Sequence, residues 1–251
     1  MQSVLNKYTK EAEESLSILS KKIDKQKADK LKQYFGTNLF VLGLPLKIQA
    51  ERLKQGFDFF ENTELKTFKI FDKLYNESDC FEIKNLSFLY LDKNHKYISA
   101  KEQLKILPKW INKIDNWAHS DNLSKFLTRL LEQEETKEKM IEFILKWNQS
   151  DLLWERRQSL VSLFYYSRTK KSHVSFDFAE QLILNLINDK EYYVQKSVGW
   201  TLRESYTVYP KQTYDLIKKN IKQITPIAFT TCIEKMNELE KNNLKSLRKK
   251  I

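Results

Sequence analysis

The stretch Lys190-Glu-Tyr-Tyr-Val-Gln-Lys-Ser-Val-Gly-Trp-Thr-Leu-Arg-Glu204 reads as one helix, because Val194, Val198, Thr201 and Leu202 recur at helical spacing. On that helix Lys196, Trp200 and Arg203 fall at i, i+4 and i+7, so two cations and a large aromatic share a face. An indole flanked by cations suits a surface that meets phosphate with something flat or sugar-like beside it. Taken alone, Trp200 fits a core position better than a ligand-facing one. Gly199 beside it permits close approach of a neighbouring helix.

The same period runs nearly end to end. One or two charged amphipathic helices are expected from Val4 to Phe35, then breaks at Gly36-Thr-Asn38 and Gly43-Leu-Pro45. Further helices are expected over Leu46–Phe59, Thr63–Asn76, Glu82–Asn94, Ser99–Lys113, Ser120–Glu134 and Thr136–Asn148. The later set is Leu153–Arg168, Phe176–Asn188, Glu191–Val208, Pro210–Asn220 and Pro226–Leu239. Ser99 with Glu102 resembles a capping box, Asp151 suits an N-cap, and Pro210 and Pro226 suit first turns. Residues 241–251 read as a basic frayed tail, and 1–27 as a charged N-terminal extension. The chain has only four Gly and four Pro, too few for the frequent turns of a strand-rich fold. Segments such as Lys137–Ser172 and Ser175–Val208 are each about one helical hairpin long, in the range of roughly 33–47 residues for helical repeats. The expected fold is therefore all-α: a single domain over 1–251, a curved solenoid of degenerate HEAT-like antiparallel hairpins with a concave face.

A net charge of +11 favours a polyanionic partner. Cys80 and Cys232 are isolated and lack metal spacing, which fits a reducing compartment. No apolar run approaches the roughly 18 residues that span a bilayer, and the start has no signal-peptide apolar region. A cytoplasmic, nucleoid-associated monomer is expected, without metal or other cofactor. No phosphate loop, paired cysteine set, His-Glu-x-x-His or nucleophile elbow occurs. His95, His119 and His173 are scattered and read as surface residues, while Tyr165-Tyr166 and Phe59-Phe60 read as core or interface aromatics.

Two further clusters carry polar chemistry. In Ile114-Asp-Asn-Trp-Ala-His-Ser-Asp-Asn-Leu123, Trp117 and Asp121 stand at i and i+4, neighbours if the segment is helical. The plainer reading is a turn with Asp115 and Asp121 as N-caps and Trp117 in the core. In Asp151-Leu-Leu-Trp-Glu-Arg-Arg-Gln158, Arg156 and Arg157 sit in the first turns of a helix, against the preference for acids there. A solvated or Glu-paired arginine is the plainer reading.

The ordered set Trp117-x-x-x-Asp121, Trp154-Glu-Arg-Arg157 and Glu191-Tyr-Tyr-Val-Gln-Lys-x-x-Gly-Trp-x-Leu-Arg-Glu204 resembles the AlkD-like DNA alkylation repair glycosylases. Lys32-Gln-Tyr-Phe-Gly-Thr-Asn-Leu-Phe-Val-Leu-Gly43 and Phe81-Glu-Ile-Lys84 are similar to earlier segments of that family, and the match spans most of 28–208. The resemblance implies a HEAT-like solenoid that cups double-stranded DNA. It implies hydrolysis of the N-glycosidic bond of cationic alkylated purines such as 3-methyladenine and 7-methylguanine. Asp121 is then the catalytic carboxylate, with Trp117 and Trp200 flanking the deoxyribose in one cleft. Arg156, Arg203, Tyr34 and Tyr193 match residues near the DNA, and Arg157 and Lys196 join them as cations. At Asn116-Trp117-Ala118 the chain departs from the Trp-Trp-Asp that members often carry, and His119 would add a donor there. Two other functions compete: a non-catalytic relative that binds distorted or branched DNA, and a HEAT-like protein scaffold.

Overall fold

The computed structural model describes residues 2–165, 167–169 and 172–249. Among them the regular structure is helical, with one isolated bridge between Phe40 and Cys80. The chain divides into two compact units, Met1–Leu123 and Ser124–Ile251.

The first unit holds α1 (Gln2–Ser20), α2 (Lys25–Phe35), α3 (Leu46–Gln55), α4 (Glu64–Glu77), α5 (Phe81–Asn94), α6 (Ala100–Trp110) and the start of α7 (Trp117–Glu132). Its centre is α5, which is buried on every side and packs on α3 and α4. Three of its buried polar side chains are matched, as burial demands. Glu82 accepts the N–H groups of Leu42, Gly43 and Leu44, Lys84 donates to the Tyr75 carbonyl, and Ser87 donates to the Phe71 carbonyl. Tyr75 stacks on Trp110 at 4.1 Å, and Phe68, Phe71 and Leu74 complete the core.

The N-terminal extension is part of this unit. Ala12 and Leu16 of α1 are wholly buried, and Tyr8 meets Phe59 at 5.5 Å. By contrast, α2 buries no residue. It ends where Gly36 turns left-handed (φ 63°) and its N–H reaches the carbonyls of Lys32 and Gln33. The helix expected to reach Phe59 stops at Gln55, because Gly56 takes φ 85° and turns Phe57 and Phe59 into the core.

The second unit holds the rest of α7, then α8 (Glu134–Asn148), α9 (Leu153–Val161), α10 (Phe176–Leu186), α11 (Tyr192–Val208), α12 (Pro210–Lys219), α13 (Pro226–Cys232) and α14 (Glu238–Lys249). The central helix is α11, which packs against α9, α10, α12 and α13 through Val194, Val198 and Leu202. Both expected hairpins form, since α8 packs on α9 and α10 on α11. At Gly199 α13 comes close: a Cβ there would lie 2.6 Å from the Ala228 carbonyl oxygen. Ser99 caps α6, Ser175 caps α10, Thr225 caps α13, and Pro210 and Pro226 occupy first turns as expected.

Three boundaries differ from expectation. The helix expected over Leu153–Arg168 ends at Val161, where the Ser162 carbonyl is taken by the Thr128 hydroxyl at 2.7 Å and Gln158 donates to the Ser162 hydroxyl. The expected Pro226–Leu239 helix splits in two, because Asn237 accepts the Glu240 N–H at 2.9 Å and starts α14. That helix replaces the frayed tail. Leu244 is wholly buried, and Arg248 lies over the Phe229 ring and donates to the Ile221 carbonyl. Tyr166 and residues 250–251 of the expected tail lie outside the described residues. Among the described residues no helix is long and apolar enough to cross a membrane.

Candidate functional site

In the first unit the site grows from the start of α7. Asn116 caps that helix, its side-chain oxygen accepting the His119 N–H at 2.9 Å. The helix therefore begins at Trp117 rather than Ser120. Asp121 lies in its second turn, on the same side as Trp117 one turn before, and is not a cap. Asp115 is not a cap either. Its carboxylate accepts the Thr37 hydroxyl at 2.8 Å, the Asn38 N–H at 2.7 Å and the Asn116 amide at 2.8 Å, tying the loop after α2 to the start of α7.

Trp117 is held by the last turn of α2, just before that loop. Its Nε1 donates to the Tyr34 carbonyl at 3.1 Å, with the Tyr34 ring edge-on at 5.4 Å and the Phe35 ring at 5.7 Å. Phe35 stacks on Phe81 at 4.5 Å, and Phe81 stacks on His119 at 4.4 Å. An aromatic row thus runs from Tyr34, 66% exposed, to His119, which is wholly buried. Trp117 and Asp121 are half-buried between these extremes. A carboxylate beside a fixed indole can stabilise a developing cation through both its charge and the ring quadrupole.

His119 is neither the surface residue nor the pocket donor that the sequence suggests. Burial first, and then the nearby Lys84 ammonium, push its pKa down to about 3. Its Nδ1 sits 3.0 Å from the Asn116 amide nitrogen, so it accepts there as a neutral ring. Lys84 is also buried, and burial lowers its pKa to about 8. Burial raises Glu82 despite its three backbone donors.

The predicted residues of the second unit divide into those spent internally and those left at the surface. Arg156 forks onto Asp189, with Nε to Oδ2 at 2.7 Å and Nη2 to Oδ1 at 3.4 Å. Its Nη1 donates to the carbonyls of Ser150 and Asp151. Arg157 is buried and donates to the Tyr193 carbonyl at 3.0 Å. Arg203 pairs with Glu204 at 3.2 Å and Glu234 at 2.5 Å. These three guanidiniums help hold the unit together, while Arg156 and Arg203 keep part of their surface exposed. Glu204 also accepts from Lys235 and Ser167, both at 2.6 Å. Burial alone would raise its pKa, but Lys235, Ser167 and Arg203 together hold it below the usual carboxylate range.

Trp200 is half-buried beside Tyr165, ring centroids 6.2 Å apart. The two line a cavity of about 250 Å³ with Ser167, Arg168, Thr169 and Glu204. Sequence spacing had no signal for Tyr165 or Arg168, which reach Trp200 from the irregular segment after α9. Lys196 and Tyr193 are half-buried on the first turns of α11, where Tyr193 stacks on Trp154 at 5.0 Å. Among the described residues no cluster of three His, Cys, Asp or Glu side chains could hold a metal.

Comparison with known proteins agrees with the family resemblance. The family model described as DNA alkylation repair enzyme matches residues 16–236. A solved structure described as a predicted DNA alkylation repair enzyme from Enterococcus faecalis shares the fold, with a TM-score of 0.68 and 16% identity over 86% of this chain and 97% of that one. AlkD2 from Streptococcus mutans and smu.31 from Streptococcus mutans UA159 are each 21% identical over 90% of this chain and 98% of theirs, at a TM-score of 0.48. No curated protein matches.

Proposed function

The chain belongs to the DNA alkylation repair enzyme family, and from that premise we propose that it is a DNA glycosylase. Its substrate is duplex DNA carrying cationic alkylated purines such as 3-methyladenine or 7-methylguanine, and the bond broken is the N-glycosidic bond. The observation that carries this reading is the pairing of Trp117 with Asp121, one turn apart on α7, with the indole fixed by the Tyr34 carbonyl.

An N-alkylated purine already carries a positive charge and leaves readily, so a strong general acid is not needed. The deoxyribose that remains becomes oxocarbenium-like. Asp121 supplies the negative charge beside it and orients the water that attacks C1′. The Trp117 face adds about 0.5–2 kcal/mol through its quadrupole. Trp200 supplies a second indole to the DNA, from the second unit. No cofactor takes part, and a monomer suffices.

The test is single-turnover release of 7-methylguanine from methylated duplex DNA. Asp121→Asn keeps the shape and removes the charge, so excision should slow on the order of 10²-fold or more while DNA affinity changes little. A wild-type rate in that variant overturns the mechanism. Tight duplex binding by the unmodified chain without any release would leave a non-catalytic DNA-binding protein.

A further inference from the structure

At the start of α11 the second unit carries an aromatic platform whose outer ring is open. Trp154 of α9 stacks on Tyr193 at 5.0 Å and 30°. Tyr193 meets Tyr192 edge-on at 5.2 Å. Tyr192 is 51% exposed, with the Lys196 ammonium 6.0 Å over its ring. Leu152, at the start of α9, is exposed as well.

Three observations say what this platform fits. Tyr193, itself stacked on Trp154, meets Tyr192 edge-on, so an arriving planar group meets a ring that already has a fixed neighbour. Arg156 is paired with Asp189 and Arg157 donates to the Tyr193 carbonyl, while Lys190 is exposed two residues before Tyr192 and the Lys196 ammonium lies over the Tyr192 ring. Neither lysine forms an ion pair among the described residues. Asp189, in the loop leading to α11, is neutralised by Arg156. The surface is thus a half-exposed tyrosine ring with the Lys196 ammonium over it, and with the exposed Lys190 and Glu191 just before it in the chain.

We propose that Tyr192, backed by Tyr193 and Trp154, stacks an unpaired nucleobase of single-stranded DNA while Lys190 and Lys196 meet its flanking phosphates. Any base presents a π face, so the contact is indifferent to sequence. A base pair inside a duplex shows only its edges to a protein surface and gains nothing from Tyr192, so the intact duplex probe is a hairpin-closed one without free ends. The inference takes its ligand class from the nucleic-acid reading above, but its residues are distinct from Trp117 and Asp121.

The experiment is fluorescence anisotropy of the full chain with three probes: an intact duplex, the same duplex with a short thymine overhang, and a single-stranded oligothymidine. The overhang should bind tighter than the intact duplex. Tyr192→Ala should weaken overhang and single-strand binding by about fivefold or more, from the usual worth of one stacked base, and leave the intact duplex unchanged. Tyr192→Phe, which keeps the ring, should behave as wild type. An equal loss on all three probes overturns the stacking role and keeps the chain a DNA binder. No change on the overhang also overturns it, and leaves the face to a protein partner. If the unmodified chain binds none of the probes even at low salt, this inference and the nucleic-acid reading fall together. If methylated duplex is still processed while Tyr192→Ala is silent, only the inference falls.

Discussion

Asp115 and Thr37 are 78 residues apart in the chain, yet the Asp115 carboxylate accepts the Thr37 hydroxyl at 2.8 Å. The same carboxylate takes the Asn38 N–H, and the Tyr34 carbonyl, three residues earlier than Thr37, holds the Trp117 indole. Asp115 therefore fixes the loop that directly follows the helical turn holding Trp117. Asp115→Ala should cost about 1–3 kcal/mol, the usual price of leaving such donors unmatched. For a chain of this size that is a Tm fall of roughly 2–12 °C. Trp117 fluorescence should also change toward that of a more solvated indole. An unchanged spectrum would show that Trp117 is held without the loop.

Gly199→Ala should destabilise the protein, although Ala is worth about 1 kcal/mol more than Gly in an ordinary helix interior. The added Cβ would stand 2.6 Å from the Ala228 carbonyl oxygen and 2.9 Å from its Cα, both backbone atoms that move only with α13. Overpacking of this kind costs typically about 1–3 kcal/mol. Urea denaturation measures it, and a gain in stability would mean that α13 shifts without penalty.

Arg156→Ala should cost about 3 kcal/mol, because Asp189 is left largely buried with its charge unmatched. Arg156→Lys restores the charge but not the two-pronged geometry, so it should recover only part of the loss. If Arg156 is wholly internal, a folded Arg156→Ala sample keeps the wild-type slope of log affinity against log salt for duplex DNA. A slope shallower by about 0.9 would return Arg156 to the phosphate contacts.

His119 ties stability to pH. Its folded pKa of about 3 lies well below the unfolded value near 6.5, so between those limits the unfolded chain binds more protons. Its contribution to stability is complete above about pH 6.5 and is lost progressively as pH falls toward 3. Lys84, which lowers the pKa further, and Asp115, which opposes it, are the charged groups that act on the ring. His119→Phe keeps the stack on Phe81 and has nothing to protonate. Between pH 7 and pH 5 its unfolding free energy should fall less than that of the wild type, as denaturant titration at the two pH values will show.

Much of the fold was legible because helix faces and caps are local. Val194, Val198 and Leu202 announce α11, Ser99 and Pro226 announce helix starts, and Gly199 announces a close neighbour. The family could be read from the order of three motifs. What spacing does not carry is which side chain crosses to which helix. Arg156 and Asp189 are 33 residues apart, and only folding makes them partners. The same blindness hid the role of Asp115, which in sequence looks like an ordinary helix cap. His119 looked exposed because a single histidine has no period, whereas the rings that bury it, Phe81 and Phe88, lie on α5.

The helix α2 offers the solvent Lys25, Lys27 and Lys30, and it buries none of its own side chains. Its C-terminal end is pinned, by Asp115 to Thr37 and Asn38 and by Trp117 to Tyr34. Such a segment is the part of a unit that opens first, because few apolar contacts resist it. Its amides should exchange with solvent deuterium well before those of α5, which opens only when the unit itself unfolds. A lysine-bearing strap pinned at its C-terminal end and joined at the other to α1, which is anchored in the core, can therefore loosen and re-seat while the core beneath it stays closed.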